Sequence, residues 1–298
     1  MNKVSYITVN YNGLSDTLEW IESIYDNSYS NFEIIIVDNC SKESPKLIIQ
    51  KKYPTVKVIE SKQNLGFAGG NNLGIQHATG EFLFLINNDT VISDGCIEGL
   101  LETIQSQPEV GGVSPMLLYY HNKNYIQFAG FTAINPYTGR NSTLGEMEEE
   151  NGQYSSVTEI PYMHGAAMFL SNKVVQDAGP IPDFYFLYYE ELDWSIRIKE
   201  KGYRLLFQPE AKVYHKESVS VGKDSRTKVF YMTRNRMWFM RRNYSRINYL
   251  YFFMFYTFLA MPKKLSSYLI QGNIDKFWIA LKSYFYGIFN FLPQYKVR

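Results

Sequence analysis

The residues whose type and spacing point most clearly to chemistry are Asn87-Asn88-Asp89, which follow the apolar run 82–86. An apolar run of this length predicts a buried strand, and the triplet would leave it at the carboxyl edge of a sheet, where open α/β sheets bind ligands. A carboxylate oxygen there suits Mg²⁺ or Mn²⁺, and such an ion commonly holds phosphate groups. An Asx turn that only ends the strand explains the same triplet, so both interpretations stand at this point.

A second group of acids, Glu190, Glu191 and Asp193, stands where a helix is predicted to begin. The helix dipole favours acids there regardless of function, and Asp193 lies four residues before Arg197, the spacing of a helical ion pair. The aromatic run 184–189 suggests a different role for these acids. An apolar wall raises the pKa of a carboxyl group toward the range of a general base.

Three further features are candidates for a binding site. Asp38 ends a predicted buried strand, where its carboxylate could accept hydrogen bonds from a base or a ribose, or could cap the next segment through Ser41. The glycine-containing segment 64–72 opens a helix and could approach a phosphate or a sugar, although a plain turn has the same pattern. His215 follows another predicted strand, and a lone histidine is more often structural than a ligand.

Strands that alternate with helices must position these residues. We predict strands at 4–9, 32–37, 56–59, 82–86, 168–170 and 204–207, and helices at 16–25, 45–52, 72–77, 97–105 and 190–201. Ser15 or Asp16 is expected to cap the first helix and Gly202 to end the last. The stretch 116–160 has no sustained period and is predicted to form loops and irregular strands along one wall of a cleft. The pattern predicts an α/β fold with a mostly parallel sheet flanked by helices.

The last quarter of the chain differs from the rest in charge and composition. Residues 223–298 hold 14 Lys and Arg against two Asp, and 21 of the 49 aromatic residues, whereas residues 1–222 carry a net charge of −11. The pattern is helical from Arg226 onward, and the charge-free run 249–261, which Pro262 is expected to end, is shorter than the roughly 20 residues of a membrane-spanning helix. Basic, aromatic helices of this kind lie in a membrane interface, the interpretation we favour. Ordinary core helices or a dimer contact remain the alternative.

Composition excludes several classes of protein. A length of 298 residues and 45% hydrophobic content fit one large domain with a helical extension. Two cysteines are too few for a disulfide scaffold and favour a reducing compartment. The chain enters a strand pattern at once without a signal-peptide pattern, so we expect a cytoplasmic body. The junction 10–13 lacks G-x-G-x-x-G, and the sequence has no Walker-A lysine motif, which argues against dinucleotide-binding and P-loop domains.

Five short motifs, in this order and spacing, resemble the inverting family 2 glycosyltransferases, in particular the rhamnosyltransferase-like branch of bacterial surface polysaccharide synthesis. The motifs occupy 9–13, 37–39, 64–72, 87–89 and 190–194, and the resemblance covers about residues 3–245. It implies a GT-A fold in residues 1–225, with a nucleotide-sugar half to about residue 115 and an acceptor half from 116. Residues 226–298 would form a basic, aromatic helical extension that begins with the motif at 234–236.

The resemblance also implies roles for individual residues. Glu191 would be the catalytic base with Glu190 beside it, and Asp89 with His215 would bind Mg²⁺ or Mn²⁺. Asn87 replaces the first aspartate of the family's D-x-D motif, so we expect weak metal binding before the donor arrives. The nucleotide-sugar residues would be Asn10, Tyr11, Asn12, Asp38, Asn64, Gly66, Asn72, Asn87 and Asn88. The sugar and acceptor pocket would contain His164, Gly165, Ala166, Asp193 and Trp194.

The function implied is transfer of a sugar from a UDP- or dTDP-sugar, with rhamnose as one candidate, to a hydroxyl of a lipid-linked oligosaccharide. The expected location is the inner face of the cell membrane; nucleic acid is not an expected partner, and the oligomeric state is open. A sugar-phosphate nucleotidyltransferase is one alternative, although it would carry a glycine-rich basic loop after the first strand, where this chain has 10–13. A degenerate membrane-associated nucleotide-sugar binder is the other; Asn87 supports it, but it leaves the acids at 190–193 unexplained.

Overall fold

A ten-stranded sheet forms the centre of the computed structural model, which describes residues 2–216 and 225–290. The strands are β1 (Val4–Asn10), β2 (Phe32–Asp38), β3 (Lys57–Glu60), β4 (Phe82–Ile86), β5 (Thr90–Ile92), β6 (Val110–Tyr119), β7 (Asn122–Phe128), β8 (Thr158–Glu159), β9 (Ala167–Ser171) and β10 (Arg204–His215). Strand β4 and most of β1 and β2 are buried along their length, as their continuous apolar sequences require when helices cover both faces.

The sheet is mixed rather than mostly parallel. Its order is β3-β2-β1-β4-β9-β6-β10-β5, with β7 beside β6 and β8 beside β10. The strands β3, β2, β1 and β4 run parallel, which agrees with the prediction for these strands. Strands β6 and β10 also run parallel, although β6 was not predicted. Strand β9 enters between β4 and β6 in the antiparallel direction, and β5, β7 and β8 also pair antiparallel. An apolar run reports burial but not direction, so the sequence could not distinguish these strands.

Six helices pack against the sheet: α1 (Leu14–Tyr25), α2 (Lys46–Lys52), α3 (Gly66–Ile75), α4 (Cys96–Gln105), α5 (Asn172–Ala178) and α6 (Glu190–Glu200). The predicted helices all form, and Gly202 follows α6 with a φ of +88°. The predicted cap of α1 is wrong, because the helix begins at Leu14 and the N–H of Thr17 donates to the carbonyl of Gly13. Ser15 and Asp16 therefore lie inside the first turn.

Two predicted segments differ in extent. The stretch 116–160 contains the last four residues of β6 and all of β7, so its first part is regular sheet and only the part after Phe128 is largely irregular. Strand β10 continues through Pro209 to His215, with a register shift between Gln208 and Lys212. The shift accommodates the proline, which cannot donate to a ladder.

Four further helices form the described part of the C-terminal region: α7 (Arg226–Asn243), α8 (Arg246–Phe255), α9 (Met261–Ile270) and α10 (Ile274–Phe289). Pro262 does not end the apolar run, contrary to the prediction. A π-helical turn, Tyr256–Ala260, joins α8 to α9, and the N–H of Met261 donates to the carbonyl of Tyr256. Pro262 then falls in the first turn of α9, directly after this π-helical turn.

The C-terminal helices share an apolar cluster with the body. Tyr185, Tyr189 and Leu192 pack there with buried residues of α7, α8 and α10 such as Phe239 and Phe252. The packing agrees with the core-helix alternative for this part of the region. In residues 2–216 and 225–290, no helix combines the length and apolar character that crossing a membrane requires.

Candidate active site

A cleft of about 820 Å³ opens where β1 and β4 end, and several chain segments contribute to it. Thirteen of the predicted site residues line it: Tyr11, Asn12, Asn64, Gly66, Asn87, Asn88, Asp89, His164, Gly165, Ala166, Glu190, Glu191 and His215. Helix α7 adds Thr227, Lys228 and Tyr231 to the wall. The proposed boundary at residue 226 therefore divides the sequence, but the cleft uses side chains from both sides of it.

Asp38 is buried beneath the cleft and holds the loop after β1. Its Oδ1 accepts hydrogen bonds from Asn10 Nδ2 at 2.8 Å and from Ser41 Oγ at 2.6 Å. The Ser41 hydroxyl oxygen in turn accepts from the N–H of Asn12 at 2.8 Å. Asp38 and Asn10 are 3% and 1% exposed, so in this structure they position the 10–13 loop and do not line the cleft. The Ser41 contact expected for the capping alternative is present.

Asn39 is a cleft residue that the sequence reasoning missed. Its Nδ2 donates to Asn64 Oδ1 and to the carbonyl of Gly66, both at 3.0 Å, and its Oδ1 accepts from the N–H of Leu65 at 2.9 Å. These bonds tie the end of β2 to the glycine-containing turn. The sequence contained one signal for Asn39, which is the second polar residue directly behind a buried strand.

Gly66 brings that turn against the loop that precedes α6. Its φ is +71°, a left-handed conformation, and a Cβ at this position would lie 2.2 Å from the carbonyl oxygen of Phe186. The same oxygen accepts a hydrogen bond from the N–H of Phe67 at 2.8 Å. Any side chain at residue 66 must therefore push apart two walls of the cleft.

Replacement of Gly66 by alanine should lower the free energy of unfolding by about 3 kcal/mol, since the left-handed backbone and the contact with Phe186 both become unfavourable. Gly95→Ala is the matched control, because Gly95 has a φ of +74° but no atom within 4 Å of the point that an added methyl group would occupy. Urea denaturation should show a loss of only about 1 kcal/mol for the control. Equal losses for the two variants would contradict the close contact.

Asp89 and His215 meet at the far end of the cleft. Strand β10 pairs with β5 so that His215 lies opposite Thr90, and His215 Nε2 is 3.2 Å from Asp89 Oδ1. The Nδ2 atom of Asn87 is 3.5 Å from the same ring nitrogen. On the other side of the ring, His215 Nδ1 lies 2.8 Å from Oε1 of Gln127, a β7 residue that sequence reasoning missed because its region was interpreted as irregular.

The chemistry of these side chains fits a divalent cation that also has ligands from a substrate. When Gln127 Oε1 accepts the Nδ1 proton, the Nε2 lone pair of His215 is available to a metal, the usual arrangement around a metal-binding histidine. Burial disfavours ionisation of Asp89, but without a metal the hydrogen bond and charge of His215 hold the pKa of Asp89 below its ordinary value. A metal would take the place of the proton that Nε2 shares with Asp89. Among the described residues no group of three or more His, Cys, Asp or Glu could hold a metal ion. Phosphate oxygens and water would have to complete the coordination.

Glu190 and Glu191 lie at the first turn of α6, facing the same cleft. Burial raises the pKa of Glu191 to about 7, and burial together with the negative charge of Glu191 raises the pKa of Glu190 well above its ordinary value. Within the described parts of the chain, the Oε2 atoms of both residues have no hydrogen-bond partner. A carboxyl group with a pKa near neutrality and an unused oxygen has the properties of a general base.

The wall opposite Glu191 consists of His164, Gly165 and Ala166. Burial and the charge of His215 lower the pKa of His164 to about 3, so its ring is neutral, and its Nδ1 accepts from the N–H of Ala166 at 3.1 Å. A Cβ on Gly165 would lie 3.7 Å from Cγ of Glu191. The absence of a side chain there keeps open the space beside the carboxyl group.

The loop that delivers the two glutamates is held in an unfavourable backbone conformation. Phe186, Tyr188 and Tyr189 have φ values of +67°, +67° and +77°, which bulky residues rarely adopt. Such residues persist only where their surroundings fix them. Asn235 of α7 supplies that constraint, because its Nδ2 donates at 2.8–3.1 Å to three carbonyls of the loop, those of Tyr185, Leu187 and Tyr188. Arg234 also donates to the carbonyl of Tyr185, at 2.7 Å.

Replacement of Asn235 by alanine should reduce the turnover rate about tenfold with a smaller effect on the KM for the donor, because a loop without these bonds misplaces Glu191 but leaves the rest of the cleft intact. Steady-state kinetics over a range of donor concentrations would measure the turnover rate and the KM separately. Asn248→Ala in α8 is the control and should retain the wild-type rate, since Asn248 does not line the cleft. A wild-type turnover rate for Asn235→Ala would contradict the positioning role.

Besides Asn10 and Asp38, three predicted site residues lie outside the cleft. Asn72 bonds through its side-chain amide to both the N–H and the carbonyl of Ile181. Trp194, expected at the pocket, is fully buried, and its Nε1 donates to the carbonyl of Gly179. Asp193, also expected there, is buried and pairs with Arg242 of α7 at 2.9 Å. These side chains join helices and loops in the interior, and they do not line the pocket.

Comparison with known proteins identifies the family. Residues 5–177, more than half of the chain, match the family described as glycosyl transferase family 2. The chain is 26% identical over 206 residues to the low-salt glycan biosynthesis hexosyltransferase Agl10 of Haloferax volcanii, which covers 68% of this chain and 63% of that protein, less than two thirds of its length. It is 20% identical over 211 residues to the N-acetylglucosaminyl-diphospho-decaprenol L-rhamnosyltransferase of Mycobacterium tuberculosis, over 64% of this chain and 68% of that one.

Solved structures show the same architecture. The mannosyltransferase PcManGT from Pyrobaculum calidifontis, in complex with GDP-Man and Mn²⁺, superposes with a TM-score of 0.59 at 14% identity, over 98% of this chain and 77% of that one. The likeness confirms the expected fold, an α/β structure with a central sheet flanked by helices. The chain belongs to glycosyl transferase family 2 and has the GT-A fold.

Proposed function

We propose that this protein is an inverting glycosyltransferase that moves a sugar from a nucleotide-diphospho-sugar to an acceptor hydroxyl. The observation that carries the proposal is one cleft in which Asp89 and His215 lie at one end and Glu191, with its raised pKa and unpartnered oxygen, lines the wall. Asp89 and His215 would bind the cation that accompanies the diphosphate, and Glu191 would accept the proton that an acceptor hydroxyl must lose. Residues 1–115 would bind the donor and 116–225 the acceptor.

The donor half of the mechanism depends on the edge of the sheet. The loop after β1, held by Asp38 and Asn10, and the turn at Asn64 and Gly66 would hold the nucleotide. Asp89 and His215 would hold Mg²⁺ or Mn²⁺, which when bound supplies positive charge to the diphosphate leaving group. Asn88 contributes by fixing the strand exit, because its Nδ2 donates to Thr17 Oγ1 of α1 at 2.8 Å.

The acceptor half depends on Glu191. Its carboxylate would accept the proton of the acceptor hydroxyl as the oxygen attacks the anomeric carbon, and the bond to the diphosphate breaks on the opposite face. The configuration at that carbon therefore inverts, with no covalent intermediate. Burial and the charge of Glu191 raise the pKa of Glu190 well above its ordinary value, which favours the protonated form of Glu190 and keeps a second negative charge out of the cleft.

A UDP- or dTDP-sugar is the donor class we propose, with rhamnose as one candidate, and a lipid-linked oligosaccharide of surface polysaccharide synthesis as acceptor. The named relatives act in glycan synthesis, and one is a rhamnosyltransferase that uses a diphospho-decaprenol-linked acceptor. The test is nucleoside diphosphate release from a panel of UDP- and dTDP-sugars, with Mn²⁺ or with EDTA. Release from at least one donor only with Mn²⁺ is expected; no release from any donor would favour a degenerate binder and overturn the proposal.

We also place the protein at the inner face of the cell membrane, through the C-terminal helices. Of 21 exposed large hydrophobic residues in the described chain, 13 lie in the region from α8 to α10. Ile270 is 87% exposed and Trp278 60% exposed, and basic residues such as Arg246 and Lys282 lie on the same helices. Exposed apolar side chains beside basic ones favour an anionic membrane surface.

Liposome flotation tests this placement without removing helices that contribute to the core. A Leu250→Ser/Leu259→Ser/Ile270→Ser variant should float less with phosphatidylglycerol vesicles than the wild type, because it loses exposed apolar contacts. The control is Leu47→Ser/Ile48→Ser, which changes exposed residues of α2 on the body. Equal flotation of the triple variant and the wild type would contradict the membrane placement.

A further inference from the structure

A second cavity, of about 450 Å³, lies in the C-terminal helical region and is lined by four cationic side chains. Arg140 reaches it from the irregular segment after β7, Arg236 from α7, and Lys263 and Lys264 from α9. It shares no lining residue with the cleft among those described. Neither the proposed reaction nor the family match gives this cavity a role.

The four cations have no acidic partner in the parts of the chain that the structure describes. No described residue lining the cavity is acidic, and no ion pair between described residues includes any of the four. The hydrogen-bond partners are neutral: Lys264 Nζ donates to Thr233 Oγ1 at 2.8 Å, and Arg236 Nε donates to the hydroxyl of Tyr189 at 2.8 Å.

This arrangement is unfavourable without an anion. Arg236 and Lys264 are partly buried, and Arg140 and Lys263 are exposed at the mouth of the cavity. Like charges that line one cavity repel one another, and partial removal from water strengthens that repulsion. Burial, together with the charge of Arg236, lowers the pKa of Lys264 to about 8, which reflects the missing counter-charge. An oxyanion in the cavity would supply that charge, and an arginine fork beside two ammonium groups matches a phosphoryl group well.

The surroundings of the cavity point to an amphiphilic ligand. The π-helical turn Tyr256–Ala260 lies against it through both of its end residues, and such turns occur frequently at functional sites. Phe258 and Leu259, about one turn before Lys263, are each 63% exposed. We infer that the cavity between α7 and α9 binds the phosphate or diphosphate group of an amphiphilic lipid, whose apolar chain lies along the exposed face of these helices.

The same contacts connect the cavity with the carboxyl groups of the cleft. Arg236 contacts the anion site and also donates to Tyr189, the residue directly before Glu190. A lipid held at Arg236 would therefore lie close to the loop that presents the proposed base. The claim that this lipid is the acceptor of the transfer rests on the proposed function. The claim that the cavity binds a phosphoryl group does not rest on it.

Calorimetric titration of the full chain in EDTA tests the site, with inorganic pyrophosphate and geranyl diphosphate as probes. Lys263→Gln/Lys264→Gln should weaken geranyl diphosphate binding at least tenfold, since two of the four cations are lost. The control, Arg246→Gln/Lys282→Gln, removes two charges that lie outside the cavity in the same helical region. Its affinity for geranyl diphosphate should stay within twofold of the wild type. If Lys264→Gln disturbs folding, Lys263→Gln alone replaces the double variant, because Lys263 is exposed. This single change should weaken geranyl diphosphate binding about threefold.

Co-sedimentation with phosphatidylglycerol vesicles distinguishes the sources of the phosphoryl group. If Lys263→Gln/Lys264→Gln weakens binding to geranyl diphosphate more than binding to vesicles, the result supports a diphosphate-linked acceptor. The reverse result supports a phospholipid headgroup. Equal affinity for pyrophosphate and geranyl diphosphate would overturn the inference that the ligand is amphiphilic. Absence of binding, or equal binding by the double variant and the wild type with every probe, would overturn the site. Failure of sugar transfer alone would leave these binding results standing.

Discussion

Replacement of Glu191 by glutamine should reduce the rate of sugar transfer by about 10³-fold, within the range that a positioned general base contributes. Glutamine has nearly the same size and can occupy the same position beside Gly165, so the nucleotide should still bind with little change in affinity. The variant cannot accept the proton of the acceptor hydroxyl. The KM for the donor should therefore change much less than the turnover rate.

The pH dependence of transfer gives a second signature of Glu191. Its pKa of about 7 means that the carboxyl group is protonated and inactive as a base at acidic pH, so the rate should rise with pH through about 7 and then level off. The Glu191→Gln variant should lose this rise. Glu200→Gln, which changes an exposed residue near the end of the same helix, should keep both the rate and the pH profile.

The raised pKa also has a consequence for stability. Because the folded protein holds a proton on Glu191 more tightly than the unfolded chain does, the free energy of unfolding falls as pH rises from about 4.5 to about 7. At pH 8 Glu191→Gln should therefore be more stable than the wild type, by up to about 3 kcal/mol, whereas at pH 4 the two should be similar. Urea denaturation at both pH values measures the difference. Wild-type turnover by Glu191→Gln would show that Glu191 is not the base. Equal stability of the two proteins at pH 8 would show that folding does not raise the pKa of Glu191.

Replacement of Asp89 by asparagine should reduce metal-dependent transfer by about 10²–10³-fold and raise the Mn²⁺ concentration needed for half-maximal rate. Asp89 is the carboxylate beside His215, whereas Asp16, which also lines the cleft, is paired with Lys216. Loss of its charge leaves an imidazole and amides, which bind hard cations weakly. Gln127→Ala should give a smaller effect in the same direction, a 10–100-fold loss of metal affinity, because it only removes the partner of the His215 ring.

Metal binding should also depend on the donor. With a single carboxylate, the donor-free protein should bind Mn²⁺ weakly, and UDP should tighten binding because its phosphate oxygens complete the coordination. Titration of Mn²⁺ with and without UDP measures this coupling. Asp26→Asn, an exposed change at the end of α1, is the control and should behave as the wild type does. Tight Mn²⁺ binding by the Asp89→Asn variant would exclude Asp89 as a ligand.

The sequence predicted those parts of the fold and site that depend on neighbours along the chain. Apolar runs defined the first strands, and polar residues directly behind them, such as Asp89 behind β4, were expected at the edge where the cleft opens. The acids at 190–191 were expected at a helix start behind an aromatic segment, and they occur there. These features follow from strand and helix periodicity, which is local.

The remaining features depend on pairing and packing over long distances, which no local pattern reports. Gln127 reaches His215 only because β7 joins the same sheet as β10, and the direction of β9 is fixed by both of its neighbours. Trp194 was expected in the sugar and acceptor pocket, but the helix face that carries it packs inward. The role of Asn235 became visible only with the left-handed loop that it holds, 47–50 residues earlier in the chain.

The anomeric configuration of the transferred sugar tests the central proposal most directly. With a donor identified by nucleoside diphosphate release, the product should be isolated and its one-bond carbon–hydrogen coupling at the anomeric carbon measured by NMR. In-line attack assisted by Glu191 predicts a configuration opposite to that of the donor. Retention of the donor configuration would contradict the mechanism, since it requires either a covalent intermediate or attack from the face of the leaving group.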